Sequence, residues 1–145
     1  MHRLLSKLFF LLVFTGFMPA AHAATAEVGS AEAKQMQAVI QAQLNAFAAD
    51  DAKRAFSFAA PKLRQVFGSA DRFMAMVRSG YPVVYRPAAV SFFKPQAIDG
   101  GFVQRVQLTD ADGGVWLATY QLERQRDRSW RISGCDVVPS EGLVA

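Results

Sequence analysis

The residues from Gly114 to Val138 constrain the fold more than any other stretch of the chain. They contain two runs in which apolar and polar side chains alternate, Val115 to Arg124 and Trp130 to Val138, joined by a polar turn around Asp127. Alternation with a period of two predicts β-strands with one buried face, and two such runs joined by a short turn predict a β-hairpin. Other parts of the chain must therefore cover the buried face of this hairpin.

Two earlier runs extend the hairpin into a sheet. The run Val90 to Ala97 is followed by the turn Asp99-Gly100, and the run Phe102 to Thr109 is followed by a three-residue loop that ends at Gly113. A three-residue hairpin loop requires a left-handed residue at this end, which glycine supplies. With a third turn at residues 127–129, the sequence predicts a four-stranded antiparallel meander.

Upstream of the sheet the apolar spacing changes to three and four residues. Met36, Ile40, Leu44 and Phe47 in an Ala- and Gln-rich run predict an amphipathic helix over residues 31–49. Further helices are expected with Asp50 or Asp51 as N-cap and an end at Ala60, from Pro61 to Gly68, and from a Ser69 cap to Gly80. The predicted fold class is α+β, with N-terminal helices packed on a curved sheet.

The segment from Tyr81 to Pro87 contains two prolines, which predict an extended path. Tyr81, Tyr85 and Arg86 are expected on this path, at the mouth of any space between the helices and the sheet. The alternative is a rigid crossover in which the tyrosines only pack.

The first residues resemble a signal peptide. Arg3 and Lys7 give a basic start, an apolar run follows from Leu8 to Met18, and Ala21-His22-Ala23 is a typical cleavage site. The predicted domains are a signal peptide at 1–23 cleaved after Ala23, a flexible start at 24–30 and a single domain at 31–145. The apolar run is too short for a typical membrane span, so a periplasmic or secreted protein without an integral span is expected.

Composition excludes several kinds of chemistry. Both histidines, His2 and His22, lie in the segment that would be removed, so the mature chain would lack the base of a Ser-His-Asp or Cys-His pair. No metal or cofactor motif occurs, and basic residues are interspersed with acidic ones, so nucleic acid is not an expected partner. Cys135 is the only cysteine. The simplest interpretation is a small residue within a strand. An intermolecular disulfide and a reactive thiol are the alternatives.

The predicted turns also assign residues to the inner face of the sheet. They place Gln104 opposite Tyr120, Phe93 opposite Val106, and Asp136 opposite Tyr120. Because the rest of this face is apolar, Gln104, Tyr120 and Asp136 are candidate ligand-binding residues in a cavity with Tyr81, Tyr85 and Arg86 at its rim.

Three alternatives to this cavity stay open. The polar row could form internal hydrogen bonds, or it could lie at a solvent-exposed edge of the sheet. A bulge at Gly134 could also turn Asp136 outward.

Four stretches carry a resemblance to known proteins: Ala55 to Pro61, Phe73 to Val77, Gly80 to Pro87, and Trp130 to Cys135. They resemble an uncharacterised bacterial family, domain of unknown function 4864. The order of helices and strands resembles the nuclear transport factor 2-like superfamily, which includes ketosteroid isomerase and SnoaL-like cyclases. The resemblance implies a cone-shaped fold, and many members of the superfamily pair through the sheet. The last turn departs from the family, because Arg126-Asp127-Arg128 stands where Pro-Asp-Gly is expected.

Two classes of function follow. One is a non-catalytic exported domain that binds a small apolar ligand between helices and sheet, or pairs with another copy through the sheet. The alternative is an enzyme of the ketosteroid isomerase or SnoaL type that uses Tyr120 and Asp136. No second acid falls on the inner rows, so the non-catalytic function is the expected one.

Overall fold

The computed structural model describes residues 27–140. The helices are α1 (Ser30–Ala48), α2 (Ala52–Ser57), α3 (Pro61–Phe67), α4 (Ala70–Gly80) and α5 (Pro82–Tyr85). The strands are β1 (Ala89–Phe92), β2 (Gln96–Ile98), β3 (Gly101–Thr109), β4 (Val115–Arg124) and β5 (Trp130–Pro139). The α+β class is confirmed. The predicted signal peptide lies outside the described residues, and no helix within residues 27–140 has the length and apolar character needed to cross a bilayer.

The helix boundaries follow local capping chemistry. Asp51, rather than Asp50, is the N-cap of α2, because its carboxylate accepts a hydrogen bond from Arg54 N at 3.1 Å. Ser69 caps α4 in the same way, with Arg72 N as donor at 3.2 Å. Pro61 begins α3 and Gly68 ends it at φ +78°. The second helix was expected to continue to Ala60 but ends at Ser57.

The expected extended linker between the helices and the sheet is wrong. Pro82 begins the short helix α5 instead, since a proline ring fits the first turn of a helix, where its missing N–H is not needed. Val83 and Val84 of this turn are buried in the core.

The sheet has five antiparallel strands rather than four. Its order is β1-β3-β4-β5, and β2 also pairs with β3. Residues 93–95, which include Pro95, divide the expected strand from Val90 to Ala97 into β1 and β2. Proline has no N–H to donate to a neighbouring strand, which interrupts the pairing. The interruption is tolerated because this strand lies at the edge of the sheet.

The division of the edge strand shifts its register. Ala97 lies opposite Phe102, as predicted. Phe92 rather than Phe93 lies opposite Val106, because the interruption adds a residue between the two halves. The β3–β4 register is confirmed throughout, including Gln104 opposite Tyr120.

The register of β5 differs from the prediction for two reasons. The backbone N–H of Gln125 donates to Ser129 O, and that of Arg128 donates to Gln125 O, which closes a loop over residues 126–128 with Arg128 at φ +70°. The turn therefore begins one residue earlier than expected. A bulge then inserts Ser133 opposite the step between Gln121 and Leu122. Cys135 therefore lies opposite Tyr120, and Asp136 lies opposite Thr119.

The helices pack on the face of the sheet that carries the even-numbered residues of β3 and β4. Met36, Ile40 and Phe47 of α1 meet Val106, Leu108, Ala118 and Leu122 in one core. The indole of Trp130 donates to Gln35 Oε1 at 3.0 Å and joins β5 to α1. On β5 the inward side chains are Trp130 and Ile132 before the bulge.

Candidate functional site

The core is not completely filled between the helices and β4–β5. A cavity of about 350 Å³ remains there. Residues of four helices, of the junction between α4 and α5 and of the two strands form its wall: Gln43, Phe47, Leu63, Phe67, Phe73, Met76, Val77, Tyr81, Val84, Tyr120, Ile132, Gly134, Cys135 and Val137. Fourteen residues line it and none of them is charged, so this is an apolar cavity with a few polar groups.

Tyr120 supplies the principal polar group of the cavity. Its side chain is 1 % exposed, and its hydroxyl has no hydrogen-bond partner within the described part of the chain. Burial raises the pKa of this phenol well above its ordinary value, so the hydroxyl stays protonated and can donate. A buried hydroxyl without a partner costs about 1–3 kcal/mol, which an acceptor placed in the cavity would recover.

Cys135 lies opposite Tyr120 on β5 and lines the same cavity. Its thiol adjoins the phenol without meeting hydrogen-bond geometry, so it leaves the hydroxyl unpaired. Burial is the main cause that raises the pKa of the thiol to about 12; Tyr120 opposes this rise and the nearby carboxylate of Asp136 adds to it. Since the thiolate is the nucleophile, a raised pKa leaves little of this side chain in its reactive form at neutral pH.

Gln43 of α1 is the second polar side chain in the wall. It is buried, and its Nε2 donates to Ala55 O at 3.1 Å. That bond fixes the amide between α1 and α2. None of the hydrogen bonds within residues 27–140 uses Gln43 Oε1, so an acceptor oxygen stands in the same cavity as the Tyr120 donor.

Of the predicted rim residues, Tyr81 is the one that lines this cavity. It is 36 % exposed and lies at the junction of α4 and α5. Tyr81 and Val137 also line a second, neighbouring cavity of about 410 Å³ that includes Arg86, Asp110 and Trp116. The Asp110 carboxylate already accepts three hydrogen bonds within the protein, from Gly114 N and Trp116 Nε1 at 2.8 Å each and from Asp112 N at 2.9 Å.

The other two rim residues belong to a surface cluster around Asp50. Arg78 and Arg86 form ion pairs with the Asp50 carboxylate at 2.9 and 3.1 Å, and the Tyr85 hydroxyl donates to the same group. Both guanidinium groups also lie over the Tyr85 ring, 5.3 and 4.9 Å from its centroid. Tyr85 and Arg86 therefore do not reach Tyr120. They tie the α1–α2 corner to the segment after α4.

Gln104 faces the core opposite Tyr120 but lies outside the cavity wall. Its amide nitrogen donates to Phe93 O at 2.6 Å and to Arg105 O at 2.8 Å, and its oxygen accepts from Gln37 at 3.4 Å. The side chain is fully buried. It occupies the gap that the interrupted edge strand leaves. There it donates to the carbonyl of Phe93, which has no backbone partner in the sheet.

The predicted placement of Asp136 beside Tyr120 is wrong. The bulge at Ser133 reverses the alternation, so Asp136 is exposed on the outer face while Cys135 takes the inward position. Tyr120 and Asp136 consequently lie on opposite faces of the sheet. The pair on which an isomerase-like reaction would depend is not assembled.

Sequence reasoning missed most of the wall. Phe67, Phe73, Met76 and Val77 have the helical spacing of core residues, and that spacing does not reveal whether the side chains meet a partner or a gap. Gln43 gave a weak signal as a polar residue between buried Ile40 and Leu44 on the apolar side of α1. Within residues 27–140, no group of three or more His, Cys, Asp or Glu side chains is arranged to hold a metal ion.

A family model described as a domain of unknown function (DUF4864) matches residues 29–145. No curated protein and no solved structure matches the chain significantly. The family match includes every helix and strand of the fold and every residue of the cavity wall. The chain therefore belongs to the DUF4864 family.

Proposed function

We propose that this protein is an exported, non-catalytic domain that binds a small, neutral, mainly apolar molecule through a hydrogen-bond acceptor on that molecule. The observation that carries the proposal is the Tyr120 hydroxyl, which is buried without a partner in the wall of an apolar cavity. Native proteins rarely leave such a group unpaired unless a ligand or water pairs with it. The cavity supplies the room for that ligand.

The wall chemistry argues for an uncharged ligand. A charged group moved from water into this cavity would meet no counter-charge, because the fourteen lining residues are all neutral. The protonated Tyr120 hydroxyl favours an acceptor such as a carbonyl or ether oxygen, and Gln43 Oε1 accepts from a hydroxyl or amide if the ligand carries one.

Cavity volume limits the size of the ligand. An apolar cavity of about 150 Å³ holds benzene, so the present one has room for about 14 non-hydrogen atoms, the size of a two-ring molecule. With about 0.3 kcal/mol per atom or somewhat more, this size corresponds to affinities from the millimolar into the micromolar range.

The proposal extends to location and ancestry. The basic and apolar start of the chain and the Ala21-His22-Ala23 site support export to the periplasm or beyond the cell. Helices packed on one face of a long antiparallel sheet support kinship with the nuclear transport factor 2-like superfamily. Catalysis by Tyr120 and Asp136 is not proposed, because the two side chains lie on opposite faces.

The direct test is native mass spectrometry of the protein purified gently from the periplasm of an expressing cell. We expect a co-purified adduct that is neutral and has about 14 non-hydrogen atoms. An anionic adduct of that size would contradict the electrostatic argument. Proteolysis of the same sample also identifies the mature N-terminus, which is expected at Ala24.

A matched pair of probes tests the role of the hydroxyl. 2-Acetylnaphthalene carries a carbonyl acceptor, and 2-isopropenylnaphthalene has the same shape without one. We expect tighter binding of the ketone by the natural protein and equal binding of both by Tyr120→Phe, because one hydrogen bond contributes about 1 kcal/mol, roughly fivefold in affinity. A Tyr120→Phe protein that still prefers the ketone would contradict the proposal.

A second candidate function is pairing with another copy through the outer face of the sheet. No described element covers this face, which carries half-buried Val103 and Leu117, exposed Ile98 at 47 % and exposed Val138 at 51 %. Apolar groups on an open sheet face are compatible with an interface. Light scattering at micromolar concentration is expected to give a dimer that Leu117→Lys dissociates. A monomer across this range would contradict pairing.

A further inference from the structure

The inner cavity, which contains Tyr120, and the outer cavity, which contains Trp116, lie over the same face of the sheet. Tyr120 and Cys135 are opposite each other on β4 and β5, and both line the inner cavity. Val137 lies opposite Ala118, between this pair and Trp116, and lines both cavities. The two cavities are therefore arranged end to end along the strands, with Tyr120 and Trp116 about 13 Å apart along β4.

The inner cavity is open to solvent on the side of the outer cavity. Among the fourteen residues that line it, Tyr81 is the only exposed one, at 36 %. Tyr81 also lines the outer cavity, together with its exposed neighbours Gly80 and Pro82. A molecule that is longer than the inner cavity would therefore pass Tyr81 and extend into the outer cavity.

The outer cavity differs from the inner one because charged side chains line it. These are Arg86, Asp110 and Asp112. Among residues 27–140, the hydrogen bonds of the Arg86 guanidinium all use Nη2, so its other N–H groups can donate to a ligand. The Asp112 carboxylate is exposed and accepts no hydrogen bond within these residues, in contrast to that of Asp110.

These side chains favour a neutral polar group on the ligand. Arg86 offers donors and Asp112 offers an acceptor, so a hydroxyl or amide group, which both accepts and donates, is suited to this cavity. An anionic group would face the carboxylates of Asp110 and Asp112, and a cationic group would face Arg86. With about 150 Å³ for benzene, the outer cavity of about 410 Å³ has room for up to about 16 non-hydrogen atoms.

We propose that the two cavities form one binding site for an uncharged amphipathic molecule. Its apolar part lies in the inner cavity, and its head group, which carries hydroxyl or amide groups, lies in the outer cavity. The proposal rests on the proposed binding function and adds the class of the ligand. The limit of about 14 non-hydrogen atoms then applies to the apolar part, and the complete ligand is larger.

Two extended probes test the contact with the head group. The diol probe is 2-acetylnaphthalene with a glycerol ether on carbon 6, and the alkyl probe has a 2-methylbutyl ether there, which has the same shape without hydroxyls. We expect Asp112→Ala to lower the affinity for the diol probe, relative to that for the alkyl probe, by about fivefold, because a hydrogen bond to a carboxylate is lost.

Asp99→Ala is the matched control for this substitution. It removes an exposed carboxylate from a turn outside both cavities, so we expect the ratio of the two affinities to stay unchanged. An unchanged ratio in Asp112→Ala, or an equal fall in both variants, would overturn the proposal.

The two tryptophans report where the head group lies. Trp116 lines the outer cavity, whereas Trp130 lines neither cavity. In NMR spectra of the indole N–H groups, we expect the diol probe to shift the Trp116 signal more than the Trp130 signal. We expect 2-acetylnaphthalene, which ends within the inner cavity, to shift the Trp116 signal less than the diol probe does. Equal shifts of Trp116 by the two molecules would overturn the extended site.

Failure of the extended site is distinguishable from failure of the binding function. If the natural protein does not bind 2-acetylnaphthalene, the binding function itself is overturned. If it binds 2-acetylnaphthalene but not the diol probe, only the extended site is overturned. In native mass spectrometry, the extended site is expected to give a neutral adduct of more than about 14 non-hydrogen atoms, and an adduct without a polar head group would contradict it.

Discussion

At the scale of single residues, Tyr120 combines a stabilising ring with a destabilising hydroxyl. Its ring is part of the core, whereas its hydroxyl is buried with no partner among the described residues. Removal of the hydroxyl in Tyr120→Phe relieves the cost of burying it, so we expect the free energy of unfolding to rise by up to about 1 kcal/mol while ketone binding weakens. Urea denaturation measures the first effect. A loss of more than about 1 kcal/mol would show that the hydroxyl has a structural partner.

Cys135 makes stability depend on alkaline pH. Its pKa is raised by burial from 9.0 to about 12, so the folded protein holds the thiol proton more tightly than the unfolded chain does. The contribution is fully present below pH 9.0 and is lost as pH rises towards about 12, at about 1.4 kcal/mol per pH unit.

We expect Cys135→Ala to be less stable than the natural protein at about pH 8 and to lose less stability between about pH 8 and about pH 10. The contribution of Tyr120 is lost only as pH rises above 10.0, the ordinary pKa of its phenol, because burial raises that pKa in the folded protein. Guanidinium denaturation at both pH values is the measurement, and parallel losses in the two proteins would contradict this assignment.

At the scale of elements, the β3–β4 hairpin depends on its loop conformation. Gly113 has φ +84°, and no atom lies within 4 Å of a Cβ built there. Gly113→Ala therefore tests the backbone alone, and we expect it to cost about 1–2 kcal/mol of stability. Gly80, in α4, has equal room and no left-handed φ, so Gly80→Ala is the matched control and is expected to leave stability unchanged or slightly higher. Equal effects of the two substitutions would contradict this explanation.

Also at the scale of elements, the interrupted edge strand depends on Gln104, whose side chain occupies the gap in the strand. The break at residues 93–95 leaves Phe93 O to be bonded by a side chain, and Gln104 supplies the donor at 2.6 Å. We expect Gln104→Leu to destabilise the protein by about 1–3 kcal/mol, because it keeps a similar volume but leaves this carbonyl unpaired. Thermal denaturation measures the loss, and ketone binding is expected to be unchanged because Gln104 lies outside the cavity wall. Weaker binding in this variant would place it in the site.

At the scale of the whole molecule, Asp50 joins parts of the chain that are far apart in sequence. It accepts hydrogen bonds from Tyr85, Arg78 and Arg86, and it holds an unusual left-handed φ of +54°. The Tyr85 hydroxyl, then Arg78, lower the pKa of the Asp50 carboxyl below 3.8. A lowered folded pKa gives stability above pH 3.8 that is lost as pH falls through the folded value.

Asp50→Asn isolates the charge, because asparagine tolerates the left-handed conformation. We expect this variant to melt at a lower temperature than the natural protein at neutral pH, with a modest difference because the ion pairs are exposed. The difference should vanish when pH is lowered below the folded pKa of Asp50. A difference of constant size across acid pH would mean that the charge is not its cause.

Sequence alone determined the elements whose signals are local. The alternation from Val115 onward, Gly113 in its loop and the caps at Asp51 and Ser69 each depend on neighbouring residues only, and the structure confirms them. The position of β5 was decided by tertiary structure. Its turn places Arg128 in a left-handed conformation that sequence gives little reason to expect, and the bulge at Ser133 then changes the face of every later residue.

The candidate site was also determined partly by the sequence and partly by the tertiary structure. Sequence identified Tyr120 and Tyr81 as candidates, because an aromatic polar group on an inner face and another beside the linker are visible in the pattern. Only the tertiary structure decided that the Gln104 amide bonds to the edge strand, that Asp136 faces solvent and that Cys135 lies opposite Tyr120. A cavity is the space that side chains from several elements leave unfilled, and no periodicity within one element records it.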